Sequence, residues 1–229
     1  IKLKEGTSRI NVKLPREAGT EINGMGPEVP EEAMMALMKK LDDMEHGDIL
    51  VLAGSIPASM PANTYEKMLE RIAKRNILTV VDASGDLLWR SLKYHPFLLK
   101  PNQHEMGELF GVEIDSKETA AVYGRKLQEE GARNVLISMG AEGGVFVPEN
   151  GPVIASPASD GVVVNPVGAG DASVAGFIAG FLAEQSFTKS FALAMAAGGA
   201  SACQEYMATK EQIMEALNSI HVDRIPLDE

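Results

Sequence analysis

The chain has 229 residues, 45% hydrophobic and 23% charged, enough for one large α/β domain or two small ones. A formal net charge of −11 argues against a nucleic-acid or anionic-membrane surface, which needs a basic patch, but leaves room for a small anion held by local cations and helix N-termini. Cys203 is the single cysteine, so an internal disulfide and a cysteine-based zinc site are ruled out and a reducing cytoplasm is expected; no apolar run reaches membrane-spanning length.

The opening "IKLKEGTSRINVKL" reads as a strand already under way, without an initiating Met, and leads us to expect a chain lacking its N-terminal part. Residues 7–27 alternate. In "SRINVKL", Ile10, Val12 and Leu14 share one face of a strand and Arg9, Asn11 and Lys13 share the other. "TEINGMGP" repeats the pattern, with Glu21 and Asn23 opposite Thr20 and Ile22, and "PREAG" joins the two into a hairpin with one apolar and one charged face. We take residues 1–28 as a β-hairpin lid segment and 29–229 as an α/β core.

After Pro30 the period changes to that of a helix, with Met34, Leu37, Met38, Leu41 and Met44 on one face. "DILVLAGS" is a continuous apolar run, as expected of a strand buried on both sides. A helix through Tyr65, Met68, Leu69 and Ile72 follows, then the strand "ILTVVDAS" and a short helix near Leu87–Leu92. "FLLKPN" comes next, then helices around 103–110 and 117–130, the second stopped by Gly131, and the strand "NVLISMG". Helices alternating with apolar strands imply a mostly parallel sheet covered on both faces. "GGVFV" and "GPVIASP" read as a hairpin at its edge, and the chain is mostly helical from Ala169. No linker, repeat or low-complexity tract interrupts the pattern.

In an open parallel sheet, ligands bind beyond the carboxyl ends of the strands. The glycine-rich and polar stretches fall there: "AGSIP", "DASG", "KPNQHE", "SMGAEGG" and "NPVGAGD". In the last, Gly168, Ala169 and Gly170 occupy the first turn of a helix whose following residues are apolar nearly all round, so we expect it buried. The N–H groups of a first turn lack helical partners, and small side chains let a phosphoryl group approach them. Asp171 in that turn either stabilises the helix end or serves as a base; phosphoryl transfer suits the second role, since it needs positioning, charge stabilisation and a carboxylate for the hydroxyl proton. In "KPNQHE", Lys100 is placed to meet a phosphate. Asn102 and Glu105, three apart, suit either a magnesium water shell or a capping box. Ser138, Gly140, Gly143 and Gly144 permit a nucleotide's close approach or simply a tight turn, and Ser55 is a substrate contact or a turn residue.

In this order, "TSRINVKL", "TEINGMGP", "LAGSIP", "VVDASG", "LLKPNQHE", "LISMGAEGG" and "NPVGAGDASVAGF" resemble the ribokinase-like sugar kinase family, in its phosphofructokinase B branch, from about Gly6 to about Ile220. The resemblance implies a ribokinase-like fold with a small β-sheet lid, and ATP- and Mg²⁺-dependent phosphorylation of a sugar phosphate. Fructose 1-phosphate, giving fructose 1,6-bisphosphate, is the first expectation and tagatose 6-phosphate the alternative. By the family pattern Asp171 is the catalytic base, and the Gly168, Ala169 and Gly170 amides form the anion hole. Lys100, Asn102 and Glu105 serve the phosphate and magnesium, Ser138, Gly140 and Gly143 serve ATP, and Arg9, Lys13 and Ser55 serve the sugar phosphate. A homodimer through the lid is a further implication.

Two departures stand out. The family's first strand, with its sugar-binding Asp, and the glycine-rich segment after it are not in this sequence, so the chain as given is expected to bind MgATP but turn over little. Pro166 stands where the family pattern has Ser or Thr. The competing reading is a nucleotide- or sugar-phosphate-binding module without turnover. Asp171, Asn102 and Glu105 together favour the kinase, because a binder has no need of a base.

Overall fold

The computed structural model describes residues 1–13 and 21–226, in two compact units: Ile1–Leu50 with Gly54–Leu78, and Val51–Ala53 with Thr79–Glu229. In the first unit, β1 (Asn11–Lys13) and β2 (Glu21–Asn23) pair antiparallel, with Val12 opposite Ile22 and Asn11 opposite Asn23. The alternation thus puts Ile10, Val12 and Ile22 on one side, all exposed. Leu14 and the "PREAG" connection lie outside the described residues.

α1 (Glu31–Asp42) follows, and then α2 (Thr64–Ile72), which buries Met68, Leu69 and Ile72 as its spacing foretells. In α1 only Leu41 is buried, so its methionine face is half-covered at most. Asp42 at its C-terminus pairs with Arg71 at 2.6 Å and Arg75 at 3.3 Å. The Arg71 hydrogen bond holds the Asp42 carboxyl below the usual carboxylate range.

β3 (Ile49–Ala53) runs from the first unit into the second. There the sheet continues through β4 (Leu78–Asp82), β5 (Leu98–Leu99), β6 (Asn134–Ser138), β7 (Gly144–Val147), β8 (Ile154–Ser156) and β9 (Asp223–Arg224), in that spatial order. β4, β5 and β6 pair parallel, and β6 through β9 pair antiparallel, which realises the expected edge hairpin. The intervening helices are α3 (Gly85–Ser91), α4 (Gln103–Phe110) and α5 (Lys117–Glu129); α6 (Ala169–Glu184), α7 (Phe187–Ala202) and α8 (Lys210–Leu217) come after β8. None of the described helices is long and apolar enough to cross a membrane.

Strand alternation explains how both sheet faces are covered. On β7, Phe146 meets Phe177 of α6 at 5.0 Å and Phe191 of α7 at 5.9 Å between ring centroids. The neighbouring Val147 faces α5, where Gly124 leaves room for its methyl group. Val80, Leu98, Leu99, Val135, Ile137 and Phe146 are fully enclosed, and burial of each such side chain contributes roughly 1.5–3 kcal/mol.

Two burial expectations need correction. Among the described residues β3 is the end strand of the sheet; Val51 is 41% exposed and of the strand's residues Leu52 alone is buried. α6 is also one-sided. Ala175, Ala179 and Leu182 face solvent, while Ala172, Val174, Gly176 and Phe177 pack inward. A helix of small apolar residues gives no polar stripe from which its outer side could be read.

Candidate active site

In the second unit the carboxyl ends of β4, β5 and β6 gather most of the candidate residues. β4 ends on Asp82 and β5 leads into Lys100, whose backbone N–H donates to Val81 at 3.1 Å. The Lys100 ammonium lies 3.0 Å from the Asp82 carboxylate, and both side chains are largely covered. Burial pushes the Asp82 carboxyl above the usual carboxylate range; the Lys100 charge works against that rise, and the negative charge of Asp171 adds to it. Asp82 therefore feels the charges of both Lys100 and Asp171. Asp82 carried no role in the sequence reading. Its signal was a carboxylate closing the apolar strand "ILTVVD" at a ligand-binding end.

The first turn of α6 stands beside this pair. A side chain at Gly170 would place its Cβ 3.3 Å from the Lys100 ammonium, so the glycine leaves the cation close to the helix backbone. Gly168 caps the helix in the left-handed region (φ +84°), where a glycine carries no steric cost. The first intrahelical bond runs from Ala172 N–H to the Gly168 carbonyl, at 2.9 Å. Of the three amides assigned to an anion hole, that of Ala169 already donates to the Pro166 carbonyl at 3.2 Å. Pro166 thus closes a tight turn into Gly168. The Gly170 and Asp171 amides lie in the first turn, where no helical acceptor exists. Asp171 itself is exposed.

Asn102 begins α4. Its Oδ1 accepts from the His104 and Glu105 amides, both at 2.9 Å, and its own N–H donates to Glu105 Oε2 at 2.8 Å. The capping box is therefore formed, and Glu105 Oε1 takes no part in it. Residue 102 also bridges to Ser138 at the end of β6, whose N–H donates to the Pro101 carbonyl at 3.1 Å. Gly140 is exposed at φ +55°, with open space where a side chain would be. Gly143 is buried, and a Cβ there would fall 2.1 Å from the Ser156 carbonyl oxygen. The fold alone thus requires glycine at 143.

The first unit brings together Arg9, Asn11 and Ser55. Arg9 donates from Nη1 to Ser55 Oγ at 3.0 Å and from Nε to Asn11 Oδ1 at 2.9 Å, on the polar side of the hairpin. Lys13 belongs to β1; its side chain lies outside the described ones.

Among the described residues no three His, Cys, Asp or Glu side chains cluster closely enough to enclose a metal ion. The donor set fits a magnesium ion that keeps its waters and is shared with phosphates, which needs only one or two carboxylates.

The pfkB family carbohydrate kinase profile matches residues 5–213. The chain is 42% identical over 221 residues to the 1-phosphofructokinase of Bacillus subtilis (strain 168), spanning 96% of this chain and 73% of that protein. It is 29% identical over 222 residues to the D-tagatose-1-phosphate kinase of Bacillus licheniformis, spanning 96% of this chain and 73% of that one. Among solved structures, a Staphylococcus aureus protein assigned as a phosphofructokinase superposes with a TM-score of 0.85 at 33% identity, over 95% of this chain and 71% of that chain.

Proposed function

This chain belongs to the pfkB carbohydrate kinase family, and on that premise we propose that it transfers the terminal phosphoryl group of ATP to a hydroxyl of fructose 1-phosphate, giving fructose 1,6-bisphosphate. The observation that carries this reading is the Lys100 ammonium, held by Asp82 beside the open first turn of α6 that bears Asp171.

The chemistry divides among the residues as follows. The acceptor hydroxyl oxygen attacks the γ-phosphorus as the bond to the ADP oxygen breaks, and the hydroxyl proton passes to the Asp171 carboxylate. The Gly170 amide and the Lys100 ammonium stabilise the negative charge of the transferring group, with Gly168 and Ala169 shaping the turn. Ser138, Gly140 and Gly143 form the nucleotide end. Bound Mg²⁺ would neutralise phosphate charge, and Asn102 and Glu105 are the residues that would hold its water shell, through the Glu105 oxygen outside the capping box. Arg9 takes the sugar phosphate, Ser55 orients Arg9, and Lys13 is the second cation for that phosphate.

Residues 1–28 serve as the lid segment. The apolar side of its hairpin, with Ile10 72%, Val12 45% and Ile22 58% exposed, is the surface through which two copies pair. We place the enzyme in the cytoplasm, where its ATP would be supplied.

The test is an ADP-release assay on the full-length natural protein, with MgATP and four acceptors: fructose 1-phosphate, tagatose 1-phosphate, tagatose 6-phosphate and fructose 6-phosphate. The highest kcat/KM is expected with fructose 1-phosphate. A higher value with either 6-phosphate would overturn the acceptor assignment, and ATP binding without ADP release from any of the four would make this a binding module.

A further inference from the structure

The turn that opens α6 does not stand by itself. Asn165, three residues before Gly168, reaches in two directions: its Oδ1 accepts the Val167 N–H at 3.1 Å, and its Nδ2 donates to the Glu205 carbonyl at 3.1 Å. The backbone is tied at the same place, with the Val164 and Asn165 N–H groups both donating to the Ala202 carbonyl, at 2.9 and 3.0 Å. Met207 packs on Gly168 so closely that a Cβ there would lie 2.9 Å from its sulfur. The Ala208 N–H returns to Ser201 Oγ at 3.3 Å. The segment 202–208, from the last residue of α7 toward α8, thus backs the loop 164–168.

Apolar burial does little to hold this loop. Val162, Val163, Val164 and Val167 are 82, 61, 60 and 48% exposed, and Tyr206 and Met207 opposite are 78 and 52% exposed. With so little surface removed from water, direction is left to the hydrogen bonds. A side chain that bonds both its own loop and the neighbouring segment is the one that sets where the turn points.

We propose that Asn165 is a positioning residue for phosphoryl transfer. By tying the loop to the Glu205 carbonyl it fixes the left-handed turn at Gly168, and through it the aim of the Gly170 amide and the Asp171 carboxylate. It touches no reacting atom. The inference rests on the first turn of α6 being the site of transfer, and the test separates the two claims.

The purified full-length natural protein is compared with its Asn165→Ala, Asn165→Asp and Gly170→Val variants by steady-state kinetics, thermal melting and amide hydrogen exchange. Asn165→Ala is expected to lower kcat at least about tenfold, with both KM values within about threefold, because a misaimed group costs rate more than binding. Exchange at the Val167 amide quickens as its acceptor is lost. Asn165→Asp keeps that acceptor but turns a carboxylate oxygen toward the Glu205 carbonyl, so Val167 protection returns while kcat stays low. This isosteric variant decides the matter even where the alanine variant does not fold. Wild-type kcat in Asn165→Asp, or a kcat within about twofold of wild type in Asn165→Ala, would overturn the positioning role. A Gly170→Val variant with wild-type kcat would overturn the siting of the reaction itself, and the Asn165 inference with it.

Discussion

Replacing Asp82 with asparagine separates what its carboxylate does for the fold from what it does for the reaction. The folded-state pKa of Asp82 is raised above the ordinary carboxylate value, chiefly by burial. The sign follows from linkage: the stability this group contributes is full below the unfolded carboxylate value and is lost as pH rises through the raised folded value. At neutral pH the ionised carboxylate therefore opposes folding, and Asp82→Asn, with no charge to desolvate, should melt no lower than the wild type at pH 7. Below the ordinary carboxylate range the two proteins should converge, since Asp82 is then protonated in the folded and unfolded states alike. Activity should move the other way. The charged bond from Lys100 to Asp82 is 3.0 Å long, with the two side chains only 6% and 16% exposed. A bond of that kind contributes roughly 1.5–3 kcal/mol, so loss of its positioning from the transition state lowers kcat on the order of 10- to 100-fold. Thermal melts across pH 3–8 and the ADP-release assay at pH 7 measure both halves. A variant that keeps kcat within about twofold of wild type refutes the positioning of Lys100 by Asp82; one that melts well below wild type at pH 7 refutes the stability argument.

Asp171→Asn should lower turnover by at least ~10², the low end of what a general base contributes, while MgATP affinity measured by calorimetry is kept; near wild-type turnover would leave Asp171 a helix-end residue. Arg9→Ala should raise KM for the sugar phosphate on the order of tenfold and leave KM for ATP nearly unchanged, since one charge-assisted phosphate contact is lost; equal changes in both would place Arg9 elsewhere. Gly143→Ala should lower the melting temperature by several degrees, because it combines a left-handed backbone (φ +91°) with a Cβ 2.1 Å from the Ser156 carbonyl oxygen, and a strained position of this kind costs roughly 1–3 kcal/mol. An unchanged melt would show that the 156–158 segment yields.

Much of this protein was legible in its residues. Alternation placed Val12 and Ile22 on one side of the hairpin and Asn11 and Asn23 on the other, because a strand's period of two is a local property of the backbone. Helical spacing located α2, Gly131 marked the stop of α5, and the capping box, one of the two readings of Asn102 with Glu105, is formed, since caps are made within four residues. The ordered motifs identified the family. What local patterns cannot hold is which neighbour a side chain meets. The apolar runs of β3 and α6 look the same whether one side or both are covered, and only the packing leaves Val51 and Leu182 in solvent. Lys100 and Asp82 are eighteen residues apart in sequence, and only adjacent parallel strands bring them to 3.0 Å. The engagement of the Ala169 amide by Pro166, and the tether from Asn165 to Glu205, likewise depend on how a loop is bent and on what stands behind it. Sequence determines these residues' chemical capacities and local periods; the tertiary structure decides which capacities meet, because contact across a long loop is a property of the whole packed core.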